Sequence, residues 1–129
     1  MSIARTLAIV GCLCLPTGAL AEQALVRQVI DGDTICGSGC YTVRIANIDT
    51  PEMPPKAKCE REAELALQAR LTLALSIEGT TVELVTQKRL RDRYGRLLAR
   101  VYFGGKDMGV ELVTAGMARP WAGRRELWC

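Results

Sequence analysis

One stretch of helical periodicity divides this chain into two groups of short, strand-forming segments. From about Lys58 the apolar side chains recur at the spacing of an α-helix, and Gly79 ends the pattern just after Ile77. The spacing predicts that one face of this helix is apolar and consists of Cys59, Ala63, Ala66, Leu67, Leu71 and Ala74. Any fold for this chain must therefore place a helix between an earlier and a later set of strands.

Branched apolar residues and turn signals predict three strands before the helix and two after it. The predicted strands are 24–30, 33–36, 41–48, 81–86 and 96–103. Residues 87–95 form a basic loop, and residues 108–115 form a short helix that Gly116 ends. This order is typical of a mainly β fold with helices (α+β), the five-stranded Greek-key barrel known as the OB-fold, with one helix between strands 3 and 4 and a short C-terminal helix. An open α+β sheet fits the same order.

The first 21 residues have the features of a signal peptide. A short cationic start is followed by the apolar run 6–15, and Ala19-Leu20-Ala21 supplies the small-x-small pattern of a cleavage site. The run is too short for a membrane-spanning helix, which needs about 20 apolar residues. A lipoprotein box ending at Cys12 is less favoured because it leaves only residues 6–11 as the apolar run. We expect cleavage after Ala21, a single domain over 22–129, a location in the periplasm or the medium, and no stable membrane association.

Four cysteines lie beyond the predicted cleavage site, and an even number in an exported chain indicates two disulfides. Four cysteines allow three pairings. Cys36 and Cys40 flank a tight Gly-Ser-Gly turn, which favours a disulfide between them and leaves Cys59 to pair with Cys129. A zinc site would need chelating pairs at short spacing, and the sequence offers only one such pair.

The chain contains no histidine. This excludes Ser-His-Asp hydrolysis, Cys-His proteolysis and nucleases that use histidine as a metal ligand or general base. Any catalysis would have to use carboxylates, arginines, lysines or a metal ion held by oxygen atoms.

Three polar clusters interrupt the apolar pattern. They are Asp31-Gly32-Asp33-Thr34, then Arg44 with Asp49-Thr50-Pro51-Glu52, and the basic stretch 88–96. Taken singly, they are typical of a turn, a solvated strand end and a cationic surface loop. Taken together, Asp33 and Asp49 offer hard oxygen ligands for Ca²⁺ or Mg²⁺, and Glu52 is suited to orienting or deprotonating a water molecule. Arg44 and Arg96 are suited to binding phosphate oxygens. These are the parts needed to cleave a phosphodiester without histidine.

The stretches VIDGDTI, VRIANIDTPE and RDRYGRLLARVY, in this order and spacing, resemble the staphylococcal nuclease (thermonuclease) family. The similarity runs from about Val29 to Ala118. It implies an OB-fold enzyme that uses Ca²⁺ to hydrolyse DNA and RNA with little sequence specificity, leaving 3′-phosphate ends. The expected partners are DNA and RNA, single-stranded or frayed, and we expect a monomer.

The resemblance also assigns roles to individual residues. It implies that Asp33, Asp49 and the Thr50 carbonyl bind Ca²⁺, and that Asp31 lies next to these ligands. It further implies catalytic roles for Arg44, Glu52 and Arg96, with Glu52 as the general base. Arg93 and Tyr94 correspond to positions that contact the terminal phosphate of the substrate.

The chain departs from the family pattern at its C-terminal end. The founding member continues into another helix, and its base-stacking tyrosines have no match here. Trp121 is a candidate to stack on a base instead, and the alternative is that it fills the core at the chain end. Two competing interpretations of the whole chain are a non-catalytic OB-fold module that binds nucleic acid, and a calcium-stabilised structural domain of the cell envelope, which would not require both arginines.

Overall fold

The computed structural model describes residues 20–86 and 91–129, and these ranges form nine strands, two α-helices and one short 3₁₀-helix. The strands are β1 (Leu20–Leu25), β2 (Gln28–Asp31), β3 (Thr34–Cys36), β4 (Thr42–Ile45), β5 (Ile48–Asp49), β6 (Thr81–Thr86), β7 (Leu97–Phe103), β8 (Lys106–Asp107) and β9 (Arg119–Pro120). The helices are α1 (Glu60–Ile77) and α2 (Met108–Thr114), and the 3₁₀-helix is Ser38–Cys40. None of the helices in these ranges is long and apolar enough to cross a membrane.

The main sheet has the strand order β1-β6-β7-β4-β3-β2, and all neighbours are antiparallel except β4 and β7. The strands at the two ends of this order, β1 and β2, are separated in the chain only by Val26 and Arg27. One continuous segment therefore borders both edges of the sheet, which gives the sheet the strand connections of an OB-fold barrel. The predicted fold class is confirmed. The helix α1 lies between the third and fourth of the predicted strands, 41–48 and 81–86.

Two of the predicted strands are divided in the structure. Segment 24–30 changes partners at its middle, where the N–H of Val26 donates to the Thr80 carbonyl at 2.8 Å and that of Arg27 donates to the Cys36 carbonyl at 2.9 Å. Segment 41–48 bends at Ala46, whose N–H donates to the Ala99 carbonyl at 2.9 Å. The predicted strand 41–48 is therefore divided into β4, which carries Arg44, and β5, which carries Asp49.

The helix α1 is found where its periodicity predicted it, but its buried face is different. The fully buried side chains are Glu62, Ala66, Ala69, Leu73 and Ile77, whereas Leu67 and Leu71 are 44% and 51% exposed. The reason is close packing: a Cβ atom added to Gly32 would lie 2.8 Å from the Cβ of Ala69. At this distance only a small side chain fits between the helix and the β2–β3 turn, so Ala69 faces the turn while Leu67 and Leu71 lie on a more exposed side of the helix.

The C-terminal half follows the prediction closely. The helix α2 ends one residue before the predicted end, and its N-cap residue Asp107 accepts a hydrogen bond from the N–H of Val110 at 3.1 Å. Met108 and Leu112 of α2 join the barrel core. Residues 87–90 of the predicted basic loop lie outside the described residues.

Disulfides join Cys36 to Cys40 and Cys59 to Cys129, with Cα–Cα distances of 4.6 and 6.1 Å. These are the pairs proposed from the sequence. Cys59 is also the N-cap residue of α1, and its Sγ accepts a hydrogen bond from the N–H of Glu62 at 3.4 Å. The last residue of the chain is therefore held at the start of α1.

Candidate active site

The turn between β2 and β3 buries one carboxylate of the site. Asp33 is 3% exposed, and its Oδ1 accepts a hydrogen bond from the hydroxyl of Thr34 at 2.9 Å. The turn lies against Thr50, whose Cγ2 would be 3.1 Å from a Cβ added to Gly32. Glycine at this position thus allows the segments that carry Asp33 and Thr50 to approach each other.

Burial and charge set opposite pKa directions for the two aspartates of this turn. Burial, reinforced by the negative charge of Asp33 and a hydrogen bond to it, raises the pKa of Asp31 to about 7. Burial would also raise the pKa of Asp33, but the hydrogen bond from Asp31 and the charge of Arg44 outweigh burial and lower it. Asp33 is therefore the member of the pair that ionises more readily.

Arg44 projects from β4 and is held on several sides. Its Nη1 donates to the carbonyl of Ile45 at 2.6 Å, and its Nη2 donates to that of Ile48 at 3.0 Å. Nη2 also lies 3.6 Å from Oδ2 of Asp33, and the guanidinium lies 4.9 Å from the ring centre of Trp121. Only 7% of Arg44 is exposed, so its orientation is fixed before any ligand binds.

Asp49 is the second of the two residues of β5, and it is almost fully buried. Both of its carboxylate oxygens, and Oδ2 of Asp33, are buried and have no hydrogen-bond partner. Buried carboxylate oxygens normally accept hydrogen bonds or bind a cation, because desolvation of an unpaired charge is costly. Together with the adjacent, fully buried Thr50, these hard oxygen donors fit a divalent cation such as Ca²⁺.

Few protein groups are available to bind a divalent cation at this site. The described part of the chain contains no group of three or more His, Cys, Asp or Glu side chains arranged to hold a metal ion. Asp33 and Asp49 are the two buried carboxylates in question, so most of the six to eight oxygen ligands that Ca²⁺ prefers would have to come from the backbone, water or a ligand.

Glu52 is positioned through its backbone by a residue of α1. The N–H of Glu52 donates to Oε2 of Glu62 at 3.1 Å, and the N–H of Lys58 donates to Oε1 at 2.8 Å. One buried carboxylate thus fixes both ends of the proline-containing loop that carries Glu52. Burial of Glu62 would raise its pKa, but these two hydrogen bonds outweigh burial and lower it.

Arg96 is oriented by Asp92. Its Nε donates to Oδ2 of Asp92 at 2.7 Å, and its backbone N–H donates to Oδ1 at 3.0 Å. The guanidinium groups of Arg93 and Arg96 lie 4.9 and 5.4 Å from the ring centre of Tyr94. These contacts make a compact cationic and aromatic group at the end of the basic loop.

A single cleft of about 880 Å³ brings most of the predicted site residues together. The predicted residues along its walls are Asp31, Asp33, Arg44, Glu52, Arg93, Tyr94, Arg96 and Trp121. Trp121 is 40% exposed and packs on Arg44, so it forms a wall of the cleft and does not fill the core. Asp49 and Thr50 are buried beside this cleft and are not part of its lining.

The structure adds residues that sequence reasoning did not identify. Arg125 lies within ion-pair distance of Asp33, Asp49 and Glu52. Glu62 and Asp92 fix Glu52 and Arg96, as described above. One signal was present for Arg125: pairing Cys59 with Cys129 returns the chain end to the start of α1, close to Glu52 in sequence.

The fold and the cleft define this chain as a small OB-fold domain whose barrel carries two buried carboxylates, one of them beside the buried guanidinium of Arg44. The family described as "Staphylococcal nuclease homologue" matches residues 42–126, which is more than half of the chain. The chain belongs to the staphylococcal nuclease family, as its motifs predicted.

Individual relatives agree with this assignment. The chain is 33% identical over 110 residues to a thermonuclease of Staphylococcus intermedius, covering 80% of this chain and 62% of that protein. It is 34% identical over 101 residues to a thermonuclease of Staphylococcus hyicus, covering 73% and 56%. It is 36% identical over 112 residues to the SPbeta prophage-derived endonuclease YokF of Bacillus subtilis, covering 78% and 34%. The chain thus spans between about a third and three fifths of the length of these relatives.

Proposed function

We propose that this protein is a Ca²⁺-dependent nuclease that hydrolyses phosphodiester bonds of DNA and RNA with little sequence specificity and leaves 3′-phosphate ends. The observation that carries the proposal is one cleft that holds the carboxylates of Asp33 and Glu52 and the guanidinium groups of Arg44 and Arg96. Relatives named thermonuclease and endonuclease support the same activity.

The cleft assigns a separate task to each group. Ca²⁺ held by oxygens of Asp33, Asp49 and Thr50 would supply positive charge that polarises the phosphate. Arg44 and Arg96 donate to phosphate oxygens whose negative charge grows during displacement, and neither side chain has to reorganise because Ile45, Ile48 and Asp92 already hold them.

Glu52 takes the role of general base. Its side chain lines the cleft and is 24% exposed, so a water molecule in the cleft can reach the carboxylate when Arg125 does not cover it. The water oxygen forms a bond to phosphorus, its proton passes to the Glu52 carboxylate, and the bond from phosphorus to the 5′ oxygen breaks. The 5′ oxygen takes a proton from solvent, and the phosphate stays on the 3′ oxygen.

The aromatic groups favour single-stranded or frayed substrates. Tyr94 and Trp121 are 67% and 40% exposed, and both line the cleft. Stacking of an unpaired base on an aromatic ring contributes about 1–3 kcal/mol, and a base in a duplex offers no free face for it.

We further propose that the protein is exported after cleavage behind Ala21 and acts as a monomer in the periplasm or the medium. Cleavage there would remove the first two residues of β1 and leave the pairing of Glu22 to Leu25 with β6 intact. The N-terminal sequence of the exported protein tests this proposal: a start at Glu22 supports it, and retention of residues 1–21 contradicts it.

Incubation of purified protein with plasmid DNA and with RNA, in Ca²⁺ or in excess chelator, tests the activity. We expect cleavage of both polymers with Ca²⁺ alone, and end-group analysis should show 3′-phosphates and 5′-hydroxyls. Binding of nucleic acid without cleavage under all conditions would contradict the nuclease and favour the alternative, a non-catalytic binding module.

A further inference from the structure

The C-terminal segment, residues 119–129, folds back over the carboxylates of the site. It begins with β9, which pairs with β5 so that Arg119 lies opposite Asp49. The N–H of Trp121 then donates to the Asn47 carbonyl at 3.0 Å, and the disulfide from Cys129 to Cys59 fixes the far end. The segment is thus held at both ends across one side of the cleft.

Arg119 also holds the segment together internally. Its Nη1 donates to the Leu127 carbonyl at 2.9 Å and lies 3.8 Å from Oε2 of Glu126. Its guanidinium lies 3.8 Å from the ring centre of Trp128. These contacts fold residues 119–128 into a loop, and the loop places Arg125 toward the barrel.

The guanidinium of Arg125 lies among three carboxylates of the proposed active site. Its Nη1 is 2.5 Å from Oε1 of Glu52 and 3.3 Å from Oδ1 of Asp49, and its Nη2 is 3.9 Å from Oδ2 of Asp33. Arg125 therefore lies on the side of Asp33 and Asp49 that faces Glu52, where it competes for space with a cation bound to the two aspartates.

Arg125 lies closer to the carboxylate of Glu52 than to those of Asp49 and Asp33. It is close to Glu52, but neither Oδ1 of Asp49 nor Oδ2 of Asp33 accepts a hydrogen bond from it. Its side chain is 43% exposed, so it can leave toward solvent without opening the core. Arg125 therefore pairs closely with only one of the three carboxylates, that of Glu52. A small divalent ion would interact more strongly with the buried carboxylates of Asp33 and Asp49, so Arg125 is an exchangeable counter-ion.

We propose that Arg125 is an internal counter-ion of Asp33, Asp49 and Glu52, that it competes with the divalent metal for Asp33 and Asp49, and that metal binding displaces it. The inference rests on the metal site of the proposed function. In the metal-free protein Arg125 reduces repulsion among the three carboxylates, and it thereby lowers the affinity of the site for metal. Its displacement also frees Glu52 to act on water.

The test compares Arg125→Gln with Arg124→Gln, which removes the same charge from the exposed neighbouring residue. Calorimetry with Ca²⁺ alone, and luminescence titration with Tb³⁺ alone, measure metal affinity without substrate. We expect Arg125→Gln to bind both ions roughly tenfold or more tightly than wild type, because the ion no longer has to displace a guanidinium that is ion-paired with the carboxylates. Arg124→Gln should shift affinity far less.

Thermal unfolding in chelator provides a second measurement. We expect the metal-free Arg125→Gln protein to melt at a lower temperature than Arg124→Gln, and saturating Ca²⁺ to remove most of the difference. Unchanged or weaker metal binding by Arg125→Gln, or an equal effect of both substitutions, would overturn the inference. Metal binding with the expected differences but no cleavage of DNA or RNA would overturn the proposed function and leave the Arg125 inference standing. If neither wild type nor Arg125→Gln binds the ions, both proposals are wrong.

Discussion

The backbone N–H of Glu52 donates to the buried carboxylate of Glu62 at 3.1 Å, so the first turn of α1 sets the position of the proposed general base. The same carboxylate accepts from Lys58. Glu62 acts on the site only through the loop backbone, and it is therefore a positioning residue.

Replacement of Glu62 by Gln should destabilise the protein in a pH-dependent way. At neutral pH we expect a loss of about 1–3 kcal/mol, since an amide accepts more weakly than a carboxylate and its NH₂ group faces a donor. The pKa of Glu62 is lower in the folded protein than its ordinary value of 4.5, so its contribution is complete above that value and is lost as the pH falls through the folded-state pKa.

Thermal unfolding of wild type and Glu62→Gln from pH 7 down to pH 3 measures this effect. The difference in melting temperature should stay constant down to about pH 5 and shrink below it. Glu64→Gln, a change at an exposed position of the same helix, is the control and should show little difference at any pH. A difference for Glu62→Gln that grows as the pH falls would contradict the assignment.

Removal of the Asp92 side chain should slow cleavage by releasing Arg96. Without the contact at 2.7 Å, the guanidinium samples several orientations, and misplacement of a catalytic group costs up to about a hundredfold in rate. We expect Asp92→Ala to lower kcat more than it raises KM, and to have little further effect when combined with Arg96→Ala. Steady-state kinetics of the single and double variants check this, and simple additivity of the two effects would show that Asp92 acts by another route.

Substitutions of Glu52, Arg44 and Arg96 should distinguish effects on the cleavage rate from effects on nucleic-acid affinity. Loss of one preorganised charged donor costs about 2.7–4 kcal/mol, or roughly a hundredfold to a thousandfold in rate, so Arg44→Ala and Arg96→Ala should show losses of this size. Glu52→Gln should slow cleavage comparably while nucleic-acid affinity stays close to that of wild type. Arg27→Ala, at an exposed position outside the cleft, is the control.

These variants need single-turnover rates and binding curves, with circular dichroism to confirm folding. Arg44→Lys, which keeps the positive charge, guards against a simple folding defect in Arg44→Ala. If Arg27→Ala abolished cleavage while Arg96→Ala did not, the assigned roles would be wrong.

The two disulfides should contribute unequally to stability. The link between Cys59 and Cys129 spans 70 residues, for which the loop-entropy model gives an upper value of about 4 kcal/mol. The link between Cys36 and Cys40 spans only 4 residues and constrains the unfolded chain far less. Denaturant unfolding of Cys59→Ser/Cys129→Ser and Cys36→Ser/Cys40→Ser compares them, and a larger loss for the second variant would contradict this expectation.

Calcium binding should be weak without nucleotide and tighter with it. Asp33 and Asp49 are the two buried carboxylates available, so a bound nucleotide phosphate would supply an oxygen that the protein lacks. Calorimetry of Ca²⁺ with and without a nucleoside 3′,5′-bisphosphate measures the coupling. Tight binding that nucleotide leaves unchanged would mean that the site has more protein ligands than proposed.

Much of the fold was predictable from the sequence because the signals are local. Helical spacing located α1 and α2, and Gly32 and Gly39 marked turns between strands. Two predicted strands were too long, since a change of hydrogen-bonding partner at Val26 and a bend at Ala46 depend on carbonyl groups of Thr80 and Ala99 far along the chain. The buried face of α1 was also misassigned, because the close approach of Gly32 requires a small side chain at Ala69, and this contact depends on the β2–β3 turn.

The sequence by itself determined the order of strands and helices along the chain, the family, and the residue types that the proposed chemistry needs, which are carboxylates and arginines without histidine. Only the tertiary structure decided how these residues are held. Glu62 contacts Glu52 across a loop, and Arg125 reaches Asp33, Asp49 and Glu52 only because β9 pairs with β5 and Cys129 is joined to Cys59. Periodicity and turn chemistry act over a few neighbouring residues, whereas the return of the chain end to the barrel depends on contacts between segments that are distant in sequence.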